Sequence, residues 1–243
     1  MPEPDFVGLG ALHCGTTWWF DLLTAHPRID RQLGKDRDGG FFAPFAEQPM
    51  READVERYRA RFAQRPGAIA GEWGGRYLSD VWVHPLLARV APNARLLVLL
   101  RDPIERYLTV LARAGEEANH MAAVAHQARY GSQLRSLLRF VDRDRLLVLQ
   151  LERCRADPAG EMQRTLAFLG IEDALPDDVD LTPPAPEPRA TPWPELITGL
   201  TDLLAPEVAL AAELVGDDLD PSWWPHFAEL GDRAMMRAWN PSS

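Results

Sequence analysis

The chain has 243 residues, of which 46% are hydrophobic and 26% charged, and its formal net charge is −10. This is the composition of a globular protein that is long enough to bury a sizeable core within one domain. The acidic balance argues against a protein that wraps nucleic acid, because that class needs a basic surface.

Four short apolar segments have the pattern of β-strands. They lie at residues 6–10, 68–71, 96–101 and 146–151. The last two, LLVLLR and LLVLQL, are almost continuously apolar, which is typical of strands that are buried on both faces of a parallel sheet.

Five segments between or after these strands carry apolar residues at helical spacing. They lie at residues 19–26, 55–62, 104–111, 134–141 and 157–169. The third has a complete start signal, with Asp102 as N-cap, Pro103 at the first helical position and Glu105 at the third. Pro27 ends the first helix and Gly170 ends the fifth.

The alternation of strands and helices predicts the α/β class, with an open parallel sheet flanked by helices. Residues 172–192 are acidic and proline-rich, which indicates an irregular flap, and a leucine-rich helical segment follows. We therefore predict a single domain over residues 1–243. It consists of an α/β core (1–171), the flap (172–192) and a helical tail (193–243).

The first strand leads into a glycine-bounded turn and then a helix, which is the order of a phosphate-binding loop. Glycines allow a tight bend that directs backbone N–H groups inward, and a helix N-terminus attracts anions. The loop has both glycines of the nucleotide-binding pattern GxxxxGK[ST], but it has a threonine where that pattern has a lysine. The residues that we expect to contact an anionic ligand are Gly10, Ala11, Leu12, His13, Cys14, Gly15, Thr16 and Thr17.

This stretch, GLGALHCGTTWWFDLLTAHPRI, resembles the 5′-phosphosulfate loop of sulfotransferases that use 3′-phosphoadenosine 5′-phosphosulfate (PAPS). That family's loop reads roughly GxxKxGTTxLxxxLxxHPxI. The two agree at both glycines, at both threonines and at Leu23, His26, Pro27 and Ile29. They differ at the family's lysine, where this chain has His13.

A second segment, RLLVLLRDPIERYLTVL (residues 95–111), resembles the family's 3′-phosphate site, a strand followed by R-[ND]-P-x-[DE]-R-x-x-S. Arg101 matches the arginine, whose planar fork suits a phosphate. Thr109 matches the serine and keeps its hydroxyl donor. The stretches 71–78 and 128–171 also resemble family segments in the same order. The resemblance covers about residues 6–171 and implies a P-loop-like sulfotransferase fold with a nucleotide-binding core.

The resemblance implies transfer of a sulfuryl group from PAPS to a hydroxyl or amine of a small-molecule acceptor, without a metal and with adenosine 3′,5′-bisphosphate as the product. By analogy with phosphoryl transfer, catalysis would depend on positioning and on neutralising the leaving oxygen. We expect His13, charged beside the anions of the ligand, to replace the family's lysine. Nucleotide affinity should then fall as the pH rises above neutrality. Lys35, the only lysine, is an alternative cation.

A general base should deprotonate the acceptor, and the family often uses a carboxylate in K-E-x-x-F-F after the first helix. In GKDRDGGFF, counting back from the aromatic pair places Asp38 on that carboxylate, whereas counting from the lysine places Asp36 there. We prefer Asp38 and keep Asp36 open. His84 and His126 are alternative bases.

Two other regions complete the expected site. Arg189 lies in the flap, where family members fold a basic loop over the nucleotide. Glu72 and Trp73 should line the cleft near the sulfuryl group.

The leading interpretation is a PAPS-dependent sulfotransferase of the bacterial small-molecule or carbohydrate type, with secondary metabolism suggested by analogy alone. We expect it to be cytoplasmic, because the chain has two cysteines, an acidic start unlike a signal peptide and no apolar run near the ~20 residues that span a bilayer. Two alternatives stay open. The first is a nucleoside-phosphate kinase, but the loop lacks the lysine that such kinases use. The second is a non-catalytic descendant of the family, which would explain the loss of the lysine at His13 but not the presence of Arg101 and Thr109.

Overall fold

The computed structural model describes residues 3–31, 40–62, 65–114 and 121–230. The strands in these ranges are β1 (Phe6–Gly8), β2 (Ile29–Arg31), β3 (Ile69–Trp73), β4 (Arg95–Leu100) and β5 (Leu146–Gln150). They form one parallel sheet in the order β2-β3-β1-β4-β5. The predicted open parallel α/β sheet is therefore confirmed. The strand β2 was missing from the prediction, because its sequence, Ile-Asp-Arg, has two charged residues and forms no apolar run.

Helices surround the sheet. Those in the described ranges are α1 (Thr16–Leu23), α2 (Glu52–Arg59), α3 (Val83–Val90), α4 (Pro103–Ala114), α5 (Met121–Gln127), α6 (Tyr130–Leu137), α7 (Leu151–Ala156), α8 (Pro158–Phe168) and α9 (Pro194–Val215). The sequence analysis did not predict α3, α5 and α7. None of the described helices combines the length and apolar character that a membrane crossing requires.

The residues of β1, β4 and β5 are buried except for Arg95. Phe6 in β1 lies opposite Gly71 of β3 on one side and opposite Arg95 of β4 on the other. Helices cover both faces of these strands, which is why they show no alternation of apolar and polar residues.

The strand order determines where a ligand can bind. From β1 the chain passes beyond β3 to form β2, and from β3 it crosses to the other side of β1 to form β4. The connections therefore diverge between β1 and β4, and open parallel sheets bind ligands beyond the strand ends at such a switch point. The turns after β1 and β4 are the two segments that the sequence assigns to phosphates.

The flap contains no helix or strand and lies against α4 and α7. The Ala190 N–H donates to the carbonyl of Leu108 at 3.0 Å, and Arg155 donates to the carbonyl of Pro184 at 3.1 Å. After α9 the chain returns to the end of β5, where Gln150 and Asp220 exchange two hydrogen bonds of 3.0 and 2.9 Å. The flap and tail therefore pack beside the carboxyl ends of β4 and β5.

The close contact between β1 and β3 depends on Gly8. A Cβ added there would lie 2.1 Å from the ring of Trp73, which also contacts Phe20. We expect Gly8→Ala to lower the free energy of unfolding by about 1–3 kcal/mol, because the packed ring must move. Gly199→Ala in α9 is the control, since its added Cβ meets nothing within 4 Å. Urea denaturation measures both, and an unchanged midpoint for Gly8→Ala would contradict the expectation.

Candidate active site

The turn between β1 and α1 is attached to the sheet through its backbone. The N–H groups of Leu9 and Ala11 donate to the carbonyls of Leu97 and Leu99, both at 2.8 Å, and the Leu99 N–H donates to the Gly10 carbonyl at 2.9 Å. These bonds continue the pairing with β4 beyond the end of β1. The first half of the loop is therefore a rigid extension of the sheet.

Three residues with positive φ give the loop its curvature. Gly10 has φ 126°, His13 has φ 62° and Gly15 has φ 80°. The two glycines tolerate this region, whereas His13 adopts it against the steric preference of a residue with a Cβ. Gly15 is the N-cap of α1 and, as a glycine, has no side chain that could cap the helix. Thr17 in the first turn is exposed. The N-terminus of α1 therefore presents its first amides at the surface, as an anion site requires.

Arg106, the second arginine of RDPIER, holds the loop from the side of α4. Its side chain is fully buried. Nε donates to the Leu12 carbonyl at 2.7 Å, Nη1 to the Val124 carbonyl at 3.1 Å and Nη2 to Oε1 of Gln127 at 2.7 Å. Because every nitrogen of this guanidinium is engaged, Arg106 is a positioning residue. The sequence prediction missed this role, although the motif includes a second arginine.

Arg101 and Thr109 occupy different environments. Arg101 is partly exposed after β4, and its Nη1 lies 3.4 Å from the His13 carbonyl, so the structure brings it to the loop. Thr109 is fully buried, and its hydroxyl donates to the Glu105 carbonyl at 3.0 Å. This is the usual bond of a threonine to its own helix. The hydroxyl thus faces α4 itself, whereas the sequence predicts that it faces the ligand.

His13 is surrounded by positive charge. Its Nδ1 lies 3.3 Å from Nη1 of Arg113 in the last turn of α4. Burial lowers the pKa of His13, as do the charges of Arg106, Arg113 and Arg101, while Glu187 opposes them. A neutral imidazole accepts the guanidinium N–H at Nδ1 and carries its own proton on Nε2. The surroundings favour this neutral form over the imidazolium that the sequence predicts.

The other expected loop residues contribute mainly through the backbone. Ala11 and Cys14 are buried. The sulfur of Cys14 lies 3.7 Å from the hydroxyl of Tyr130, and burial raises the pKa of the thiol. Cys14 is thus a packing residue of the loop.

The predicted bases are only partly described. Asp36 and Asp38, together with Lys35, lie outside the described residues. His84 is fully buried between the Leu78 carbonyl and the Ser136 hydroxyl, each at 3.0 Å, and burial lowers its pKa to about 4. His84 is therefore a structural residue, which contradicts its choice as an alternative base. His126 is exposed on α5.

Glu72 belongs to a buried polar cluster. It accepts hydrogen bonds from Tyr58 at 3.0 Å and Tyr77 at 3.2 Å and pairs with Arg61 at 3.2 Å. The hydroxyl of Tyr77 in turn accepts the backbone N–H of Phe41 at 3.2 Å. Glu72 therefore anchors the chain just after residues 32–39, which contain the predicted base, and does not face an open cleft.

The flap is attached to α4 by two ion pairs. Arg189 contacts Glu105 at 2.6 Å, and Glu187 contacts Arg113 at 2.7 Å. A cavity of about 300 Å³ lies beside the first pair, and its lining includes Leu108 and His226. Arg189 thus lies against α4, and its charge is engaged with Glu105.

The tail contributes His226, which no sequence motif indicated. The buried carboxylate of Asp102 caps α4 by accepting the N–H groups of Ile104 at 2.8 Å and Glu105 at 3.2 Å. Its other oxygen accepts from Nδ1 of His226 at 2.9 Å, and this bond raises the pKa of His226.

The described residues contain no group of three or more His, Cys, Asp or Glu side chains that could hold a metal.

The comparisons with known proteins agree with this architecture. The sulfotransferase family model matches residues 78–176, a stretch that begins after the first loop. Over 108 residues the chain is 30% identical to the membrane-associated sulfotransferase kil1 of Dictyostelium discoideum. The match covers 44% of this chain and 22% of the curated relative, so the chain corresponds to about a fifth of that protein.

Solved structures extend the likeness to most of the chain. A sulfotransferase from Alicyclobacillus acidocaldarius superposes with a TM-score of 0.70 at 22% identity, covering 92% of this chain and 99% of that one. The sulfotransferase domain of the Synechococcus PCC 7002 olefin synthase superposes with a TM-score of 0.55 at 16% identity, covering 96% of this chain and 95% of that one. The matched family model and these neighbours are all sulfotransferases. The predicted resemblance to sulfotransferases is therefore confirmed over residues 78–176, and their fold extends over most of the chain.

The Asp102–His226 pair should make stability depend on pH. The raised pKa of His226 stabilises the folded protein fully below the ordinary value of 6.5, and this contribution is lost as the pH rises through the raised value. Glu105 also favours the charged imidazole and Arg189 opposes it. We expect the stability lost in His226→Gln to be larger at pH 6 than at pH 8.5. Chemical denaturation at both pH values measures it, and an equal loss would show that the pair does not titrate as described.

Proposed function

We propose that the chain transfers a sulfuryl group from PAPS to a hydroxyl or amine of a small-molecule acceptor. The observation that carries the proposal is the meeting of the loop after β1 with Arg101 after β4, whose Nη1 lies 3.4 Å from the carbonyl of His13. An open helix N-terminus and an arginine at a switch point suit a ligand with two phosphate-type groups.

Charge supports the same assignment. The chain as a whole carries a net charge of −10, yet the pKa of His13 is lowered by its burial and also by the charges of Arg106, Arg113 and Arg101. A local excess of positive charge in an acidic protein attracts a small anion without attracting nucleic acid. An anion held there would be stabilised by the arginines and by the amides of α1.

In this proposal each part of the site has a separate role. The loop from Gly10 to Thr17 binds the 5′-phosphosulfate, and Arg101 binds the 3′-phosphate. Arg189 leaves Glu105 to close the flap over the nucleotide. Asp38, or alternatively Asp36, accepts the proton of the acceptor. PAPS brings the activated sulfuryl group, and the protein orients it and neutralises charge at the leaving oxygen.

A second candidate is a protein of the same fold that binds the nucleotide without turnover. The specific observation in its favour is His13, because burial and the neighbouring arginines lower its pKa and so disfavour the charge that the family's lysine carries. The kinase alternative is weaker, because Thr16 stands where nucleotide kinases need a lysine.

Ligand-dependent unfolding tests the proposed donor. Adenosine 3′,5′-bisphosphate at a hundredfold excess over its Kd should add about 2.7 kcal/mol of stability and raise the Tm by about 5–10 °C. Mg·ATP should not. Arg101→Met should abolish most of the shift, whereas Arg135→Met, which removes an exposed arginine of α6, should retain it. A shift with Mg·ATP alone would contradict the proposal and favour a kinase.

A turnover assay distinguishes the active sulfotransferase from the non-catalytic protein, since both would bind the bisphosphate. Wild-type protein would be incubated with PAPS and a panel of phenols, alcohols, amines and sugars, and release of the bisphosphate would be measured. Acceptor-dependent release is the expected result. Tight bisphosphate binding without release on any acceptor class would instead favour the non-catalytic candidate.

A further inference from the structure

The loop that we assign to the 5′-phosphosulfate, residues 10–17, contains no lysine or arginine. A dianionic group bound there still needs a positive charge close to its bridging oxygen. We propose that Arg113 supplies this charge, with His13 as a hydrogen-bond donor beside it, and that Glu187 of the flap occupies Arg113 until the nucleotide binds. This inference rests on the proposed function.

The neighbouring arginines are committed to other contacts. Arg106 is fully buried and donates from all its nitrogens to protein acceptors. Arg101 lies at the carbonyl of His13, at the position assigned to the 3′-phosphate. The side chain of Arg113 is 49% exposed, and its Nη1 contacts the imidazole of His13 at 3.3 Å. Of these three arginines, it alone is both accessible and in contact with the side chain that replaces the lysine.

The position of Arg113 on α4 fits this role. Glu105, Thr109 and Arg113 follow one another at intervals of four residues and therefore share a face of the helix. The two ion pairs to the flap, Glu105 with Arg189 and Arg113 with Glu187, arise from this face. It thus connects the flap with the phosphosulfate loop.

The contact between Arg113 and His13 also defines what the histidine can do. When Nη1 donates to Nδ1, the imidazole keeps its proton on Nε2 and can donate it to a ligand oxygen. The charge then belongs to a guanidinium, which stays protonated at any physiological pH. The groups that act on His13 are Arg106, Arg113, Arg101 and Glu187. Affinity for the nucleotide should consequently not fall between pH 7 and 8.5, unlike the prediction from sequence.

Glu187 is suited to a reversible contact. One of its oxygens binds Arg113 at 2.7 Å, while the other is buried and has no hydrogen-bond partner in the described part of the chain. A partly desolvated carboxylate with an unsatisfied oxygen loses little when it returns to water. A phosphosulfate that binds Arg113 would therefore displace it readily.

The charge is needed when the sulfuryl group leaves. The acceptor oxygen or nitrogen forms a bond to sulfur, and the bond between sulfur and the bridging oxygen breaks. The electron pair of that bond remains on the 5′-phosphate, and the proton of the acceptor passes to the general base. Arg113 and Nε2–H of His13 would stabilise the charge that appears on the phosphate oxygen.

Calorimetric titration with two nucleotides tests the inference. Adenosine 3′,5′-bisphosphate carries the 5′-phosphate that Arg113 should bind, and adenosine 3′-monophosphate lacks it. We expect Arg113→Gln to weaken binding of the bisphosphate about 10- to 100-fold, because a charge-assisted contact is lost. The affinity for the monophosphate should not change. Glu187→Gln should strengthen bisphosphate binding, because it removes the competing carboxylate. In turnover assays Arg113→Lys should recover part of the kcat lost in Arg113→Gln.

A purely structural ion pair would behave differently. If Arg113 and Glu187 only attach the flap, Arg113→Gln and Glu187→Gln should each lower the affinity for both nucleotides to the same extent. This result would overturn the inference. Arg155→Gln, which removes the bond to the Pro184 carbonyl but no charge at the loop, reports the effect of loosening the flap alone. Failure of the wild-type protein to bind the bisphosphate at all would instead refute the proposed function on which the inference rests.

Discussion

The hydrogen bonds that join the loop after β1 to the backbone of β4 are the constraint on which the site depends. Leu9 and Ala11 donate to Leu97 and Leu99 at 2.8 Å, so the loop begins as a continuation of the sheet. Arg106 then binds the Leu12 carbonyl from α4. A loop held by a sheet on one side and by a buried guanidinium on the other keeps its shape before any ligand arrives, which is the preorganisation that anion binding and transfer chemistry both require.

The same constraint explains why positive charge can gather in an acidic chain. Segments that follow β1 and β4 meet because these strands are neighbours in the sheet, and each brings its own basic residue. Burial of Arg106 is tolerated because its nitrogens all have acceptors. Burial and the charges of the arginines together lower the pKa of His13, which favours a neutral imidazole over the imidazolium expected from the sequence. Around this fixed centre the flap makes contacts through exposed ion pairs, which are individually weak and can be exchanged.

Prediction from sequence succeeded where physical signals are local. The buried strands β4 and β5 have continuous apolar runs, and the start of α4 has a cap, a proline and an acidic residue within four positions. Two glycines mark the turn between β1 and α1. Such signals depend on backbone conformations that a few adjacent residues determine. Short elements such as β2 and α7 carry no comparable signal, and His226 has none, because its partner Asp102 lies 124 positions away in the chain.

The sequence by itself determined the α/β class and the two turns, after β1 and after β4, that meet at the switch point, since these follow from apolar spacing, glycines and caps. Only the tertiary structure decided which charged groups act together. It turned Thr109 towards its own helix, buried His84 and Glu72 among structural partners, and placed Arg113 against His13. The physical reason is that burial and Coulomb interactions depend on distance in space, and residues separated by a hundred positions become neighbours only when the sheet assembles.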